Sequence, residues 1–179
     1  MEQFPELRTE RLLLRQFTDT DLLDVFAGLS DPEVIKYYGV SYDSIEATKT
    51  QMNFFTDLEK TRTGIWWAVC SPDNAEFYGA GGLNDLSEVH RKAEIGCWLL
   101  RANWGKGFMT EGMEAILQFA FEQMDLHRVE AVIETENNAS KKAMHKLNFI
   151  HEGTMKDCEY KNGRFISLDM YATFNPGEK

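Results

Sequence analysis

The succession of an apolar strand, a glycine turn, a periodic helix and a second strand between residues 93 and 134 constrains this chain more than any other feature. Ala93 to Leu100 is an apolar, strand-like run, and Asn103-Trp104-Gly105-Lys106-Gly107-Phe108-Met109-Thr110-Glu111 follows it. Met113, Ile116, Leu117, Ala120, Phe121 and Met124 then recur at i, i+3, i+4, i+7, i+8 and i+11, the spacing of one buried helical face. Arg128 to Glu134 reads as a strand. Two strands of one sheet joined through a helix are normally parallel and right-handed, so a βαβ crossover is predicted here. Two glycines around a lysine at a helix start leave backbone amides free to converge on an anion, which predicts a phosphate cradle.

Around this unit the signals change. Arg8 to Phe17 suits a first, partly buried strand, and Thr18 to Asp21 offers helix-start residues before Leu22 to Leu29. Asp31-Pro32 starts a further helix that Gly39 ends, and Asp43 or Ser44 caps one to about Lys60 with Ile45, Met52, Phe55 and Leu58 on its inner face. Ile65 to Cys70, Phe77 to Leu86 and Lys92 to Leu100 read as strands separated by turn residues. After the crossover, Asn137-Asn138 caps a short helix to Leu147, and Phe149 to Glu159 and Phe165 to Phe174 form a hairpin around Lys161-Asn162-Gly163. The expected fold class is α+β: a mixed, mostly antiparallel twisted sheet with one central parallel crossover and flanking helices.

The 179 residues, 43% of them hydrophobic, suffice for one domain with a full core, expected over 1–179 with 175–179 as a loose tail. Lys and Arg number 19 against 29 Asp and Glu, a net charge of −10, which disfavours nucleic acid or an anionic membrane surface as partner. Cys70, Cys97 and Cys158 are too scattered for a disulfide framework or a zinc site, and the four histidines show no metal-ligand spacing, so no metal is expected. The start, Met-Glu-Gln-Phe-Pro, is not that of a leader, and no segment approaches the roughly 20 apolar residues of a membrane span. A cytoplasmic protein is the expectation.

Three phosphate motifs compete for the glycine turn. The nucleotide P-loop requires Gly-x-x-x-x-Gly-Lys-Ser/Thr, which is absent, and a dinucleotide fold requires a third glycine where Thr110 stands. The third is the pyrophosphate loop of acetyl-CoA-dependent acetyltransferases. Trp104-Gly105-Lys106-Gly107-Phe108-Met109 resembles the signature of the GNAT superfamily, in the form found in its Rim-type ribosomal-protein acetyltransferase branch. Arg8-Thr9-Glu10-Arg11-Leu12, Asp31-Pro32-Glu33-Val34, Ala93-Glu94-Ile95-Gly96, Asn137-Asn138-Ala139-Ser140 and Lys146-Leu147-Asn148-Phe149 resemble further segments of that branch in the same order. Asn148 stands where glycine is usual, and asparagine tolerates positive φ better than most residues.

The resemblance implies acetyl-CoA as donor, bound by backbone amides from Trp104 and Gly105 through Lys106, Gly107, Phe108 and Met109, with Lys106 paired to a phosphate or simply solvated. It implies that backbone groups of Cys97, Trp98 and Leu99 run beside the pantetheine and hold the acetyl oxygen, and that Asn137 contacts the cofactor as well as capping its helix. Ser140 shares a helical face with Ala143, Met144 and Leu147, so its hydroxyl points inward. In the Rim-type branch the matching serine protonates the departing thiolate. Glu159 matches that branch's base, and Glu94 matches the glutamate used by other GNAT enzymes; Glu159 ranks first. The acceptor is a primary amine, foremost a protein N-terminal α-amine, with small amines and a non-catalytic acyl-CoA-binding module as the other readings. Tyr37 and Tyr38 fall in the region that shapes the acceptor pocket. The oligomeric state stays open, a homodimer being in keeping with family habit.

Overall fold

The computed structural model describes residues 4–178. It opens with two short strands, β1 (Leu7–Arg8) and β2 (Leu13–Arg15), where the sequence suggests one strand over Arg8 to Phe17. The break has a local cause: Thr9 Oγ1 accepts from the amides of Arg11 and Leu12 at 3.3 and 3.0 Å, turning the chain between them. After a 3-10 turn at Asp19–Asp21 come α1 (Leu22–Leu29), α2 (Pro32–Ile35) and α3 (Ile45–Thr61). Asp31 caps α2 by accepting from Glu33 N at 2.9 Å, and Ser44 caps α3 by accepting from Ala47 N at 3.2 Å. α2 stops at Ile35, short of Gly39. The buried face of α3 is Thr48, Gln51, Phe55 and Leu58; Ile45, expected inward, is 42% exposed because it lies in the first turn, outside the core that Phe55 and Leu58 join.

Strands β3 (Ile65–Cys70), β4 (Phe77–Ser87) and β5 (Lys92–Leu99) form a meander, α4 (Phe108–Glu122) crosses over to β6 (Arg128–Glu134), and α5 (Asn138–Lys146) leads to the hairpin β7 (Ile150–Lys161) and β8 (Arg164–Phe174). One eight-stranded sheet results, in the order β1-β2-β3-β4-β5-β6-β8-β7. Among the described residues its only parallel pair is β5 with β6, the predicted crossover, and every other pair of neighbours is antiparallel. Asn148 adopts φ 59°, the conformation its residue type tolerates.

Helices cover both faces of the sheet, so β3 is buried along its whole length. Successive residues of a strand face opposite ways, and the two tryptophans show it. Trp67 meets Phe119 of α4 edge-on at 5.5 Å, while Trp66 stacks on Phe55 of α3 at 5.5 Å. Glycines make room for the Trp66 indole: a Cβ on Gly82 would lie 2.3 Å from its Cγ, and one on Gly96 3.0 Å from its Cζ2. Past β8, Asn175 Nδ2 donates to the carbonyls of Phe121 and Leu126, and Glu178 pairs with Arg91 and His127. Lys179 of the expected tail, and Met1 to Gln3 of the expected leaderless start, lie outside the described residues. Among the described residues no helix is long and apolar enough to cross a membrane.

Candidate active site

The parallel pairing of β5 with β6 is brief. It joins Lys92, Ala93 and Glu94 to Arg128, Val129 and Glu130, and beyond Glu94 the strands separate. The wedge between them is a cleft of about 910 Å³, walled by Ile95 to Leu99 on one side and Ala131 to Glu134 on the other. On its far edge β5 stays paired with β4 as far as Leu99, so the strand is held in place while, among the described residues, the edge facing the cleft has no β partner beyond Glu94.

At one mouth lies the glycine turn. Gly105 and Gly107 take φ 74° and 83°, a conformation costly for residues with a Cβ, and Gly107 is the N-cap of α4 without a side-chain cap. The first-turn amides of α4 thus keep their donors, and the helix dipole adds positive potential there. Gly105, Gly107, Phe108 and Met109 line the cleft, as does Trp104, whose Nε1 donates to Leu99 O at 2.8 Å. Lys106 does not line it; its Nζ donates to Asn103 Oδ1 at 3.2 Å. Phe108 is stacked on Tyr78 with centroids 4.7 Å apart, which steadies the turn.

Across the cleft α5 presents Asn137 and Ser140. Asn137 Oδ1 caps the helix by accepting from Ser140 N at 3.1 Å, so the asparagine fixes the serine's backbone while lining the same space. Met144, buried, underlies them. Among the described residues the Ser140 hydroxyl has no protein hydrogen-bond partner, and it is free to meet a ligand. Cys97 and Trp98 complete the β5 wall, facing opposite sides of the sheet: Cys97 Sγ lies 3.5 Å from Met113 Sδ, and Trp98 packs with α1. Burial pushes the Cys97 thiol up to about 12, which favours the protonated form at neutral pH.

The other mouth opens between α2 and α3. Tyr37, Tyr38, Tyr42, Phe54 and Trp66 give it aromatic walls, and Glu33 and Glu94 supply carboxylates. Burial raises the Glu94 pKa, and the nearby charges of Asp85 and Glu130 raise it further. Lys161, from the end of β7, donates to the carbonyls of Lys36 and Tyr38 at 3.2 and 3.5 Å and pairs with Glu134, tying the roof of this mouth to its floor. Glu159 is exposed on β7 and does not line the cleft. Sequence reasoning named most of the donor end but missed Asn84 and Gln51, two amides that line the cleft at the acceptor end. The visible signal was a polar residue directly after the glycine-rich apolar run of a strand in one case, and a glutamine on a helical face otherwise buried in the other.

The profile of the acetyltransferase (GNAT) domain matches residues 11–150. The chain belongs to the GNAT family. The GNAT domain is 35% identical to an uncharacterised N-acetyltransferase, YoaA of Bacillus subtilis, over 98% of this chain and 99% of that one. Its fold superposes on the ribosomal L7/L12 α-N-protein acetyltransferase RimL in complex with coenzyme A, with TM-score 0.86 and 21% identity over 97% of this chain and 100% of that one. It also matches spermidine N-acetyltransferase of Vibrio cholerae in complex with CoA and spermine, with TM-score 0.83 and 18% identity over 93% of this chain and 97% of that one. At these identities the two structures speak for the fold. This GNAT protein is an acetyl-CoA-dependent N-acetyltransferase, and the unpaired β5 edge, the donor-rich turn and the Ser140 hydroxyl fit the extended amide arm, pyrophosphate and thiol of that donor.

Proposed function

We propose that the chain acetylates the α-amine of a protein N-terminus by direct attack of the amine on the acetyl thioester. Acetyl-CoA supplies the activated acetyl group. Backbone amides from Gly105 to Met109 hold the pyrophosphate, and backbone groups of Cys97, Trp98 and Leu99 align the pantetheine and polarise the acetyl oxygen. Ser140 gives its proton to the departing thiolate, and Asn137 holds the serine in place. Glu94, acting through a water, takes the proton of the amine. Glu94 takes precedence over Glu159 because it lines the cleft and Glu159 does not. The protonated Cys97 thiol supports direct transfer over a covalent acyl-enzyme.

The observation that carries this reading is a cleft with the Ser140 hydroxyl on the donor side and the half-buried Glu94 carboxylate on the acceptor side. An α-amine, with a pKa near 8, is about a tenth neutral at pH 7 and asks little of such a base, whereas a lysine near 10.4 asks far more. The second reading is a small cationic amine, favoured by the aromatic walls and carboxylates of the acceptor mouth. The two like-fold enzymes, a ribosomal-protein α-N-acetyltransferase and a spermidine N-acetyltransferase, support either. Thiol release measured over peptides with free and blocked N-termini, polyamines and amino acids decides between them. Turnover confined to the small amines would remove the first reading. The free state of Cys70, Cys97 and Cys158 supports a cytoplasmic setting.

A further inference from the structure

Asn84 sits directly opposite Glu94 in the β4–β5 register, so both side chains leave the same face of the sheet with Cβ atoms about 5 Å apart. Both line the acceptor end of the cleft. The Asn84 amide has a fixed orientation. Trp66 Nε1 donates to Asn84 Oδ1 at 2.6 Å, and an indole nitrogen can only donate, so the oxygen must face the tryptophan and the NH2 must face away. Trp66 is itself held in the core, 2% exposed, stacked on Phe55 and seated over Gly82 and Gly96. The amide nitrogen lies toward Gly96, 3.8 Å from where a Cβ on that residue would stand, and among the described residues it has no acceptor. Glu94 and Asn84 make no direct hydrogen bond, although they are neighbours.

A carboxylate and an amide donor side by side at a cleft wall suit one water molecule. The amide would donate to the water oxygen and the water would donate to the carboxylate, leaving the second lone pair of the oxygen to accept from an incoming N–H. We propose that Asn84 is a positioning residue for the reaction: its NH2 group, locked by Trp66, orients the water through which Glu94 takes the proton of the attacking amine. This rests on the reading of Glu94 as base. As the N–C bond forms and the C–S bond breaks, the amine proton passes to the water, a water proton passes to Glu94, and Ser140 protonates the thiolate while taking a proton from solvent, to which Glu94 later returns its own. Trp66 acts at one further remove, through the amide.

Asn84→Asp separates this role from a structural one, because aspartate keeps the oxygen that Trp66 needs and the shape of the side chain while removing the donor. Steady-state kinetics of Asn84→Asp and Asn84→Ala, with CoA binding followed by calorimetry, are expected to show kcat reduced about tenfold or more, a CoA dissociation constant within twofold of wild type, and an acceptor KM changed less than threefold. Trp66→Phe lowers kcat in the same direction by a smaller factor, since the amide is then free to rotate. If Asn84→Asp keeps wild-type kcat, the inference fails and Asn84 only anchors Trp66. If either Asn84 variant loses CoA affinity in step with kcat, the inference also fails, because the effect is then on the fold of the cleft. Glu94→Gln tests the underlying reading separately: full turnover in that variant overturns both, whereas loss of turnover there with unaffected Asn84 variants overturns this inference alone.

Discussion

Arg11 grips Glu111 from across the sequence: its Nε donates to Glu111 Oε2 at 2.7 Å and its backbone amide to Oε1 at 3.0 Å. Its Nη1 reaches the carbonyl of Lys106 at 2.9 Å, and its guanidinium lies 5.0 Å over the Phe108 ring. Burial works against ionisation of Glu111, but hydrogen bonds from Thr9 and Arg11 outweigh it and hold the carboxyl below its ordinary pKa. The pair thereby neutralises an acid in the first turn of α4 and pins the glycine turn from outside. Arg11→Ala is expected to weaken acetyl-CoA binding roughly tenfold, equivalent to about 1.4 kcal/mol, with kcat changed far less. Calorimetry with CoA checks this, and undiminished affinity would refute it.

Ser140→Ala is expected to lower kcat on the order of 100-fold while CoA still binds, because the variant loses a proton donor and keeps the backbone geometry that Asn137 imposes. The serine amide still donates to Asn137 in the variant, so the helix cap survives. Burst-free steady-state assays beside CoA titrations measure the two effects independently.

Gly28→Ala should destabilise the fold by about 2 kcal/mol, against the usual gain of such a change within a helix. Its Cβ would lie 2.2 Å from Cζ3 of Trp98, whose ring is wedged between α1 and the sheet with only 3% of its surface exposed. A urea midpoint unchanged or raised would show that the indole can shift aside.

Arg15 and Asp21 supply a pH dependence. Burial raises the Asp21 pKa, but two hydrogen bonds from Arg15, at 2.7 and 2.8 Å, and those from Thr18 overcome it, so the folded pKa lies below the unfolded value. A depressed carboxylate contributes stability above the unfolded pKa, near 3.9, and loses it as pH falls through the folded one. Asp21→Asn should therefore cost about 3 kcal/mol at pH 7 by leaving Arg15 without its charge partner, and the deficit should shrink toward pH 3. Denaturation midpoints at several pH values test the sign; a deficit that grows in acid would contradict it.

What could be read from the sequence was what depends on near neighbours. The crossover helix shows in the period of Met113 to Met124, the glycine turn in two residues that need positive φ, and the Ser140 helix in the Asn137 cap and its apolar stripe. The rest depends on register and on distant segments. Nothing near Glu94 reveals that β5 leaves β6 just after it and so opens a cleft there, and nothing near Glu159 reveals that its strand ends up at the edge of the sheet. Asn84 gains meaning only through its partner on the next strand and through Trp66 on the strand paired to its other edge. The Arg11 side chain, read as part of a first strand, finds its partner in Glu111, about a hundred positions later.

An unpaired strand edge is ordinarily a hazard, since it invites other chains to add themselves to the sheet. Here the unpaired edge of β5 is turned inward, in a wedge flanked by α4 and α5, where no folded partner can reach it. A slender, extended molecule that carries amides of its own has the shape to complete the missing ladder, as the proposed binding of the donor requires. On the proposed reading, the same gap that interrupts the sheet acts as a size filter: it hides an edge that folded chains would otherwise extend and suits a donor shaped like a strand.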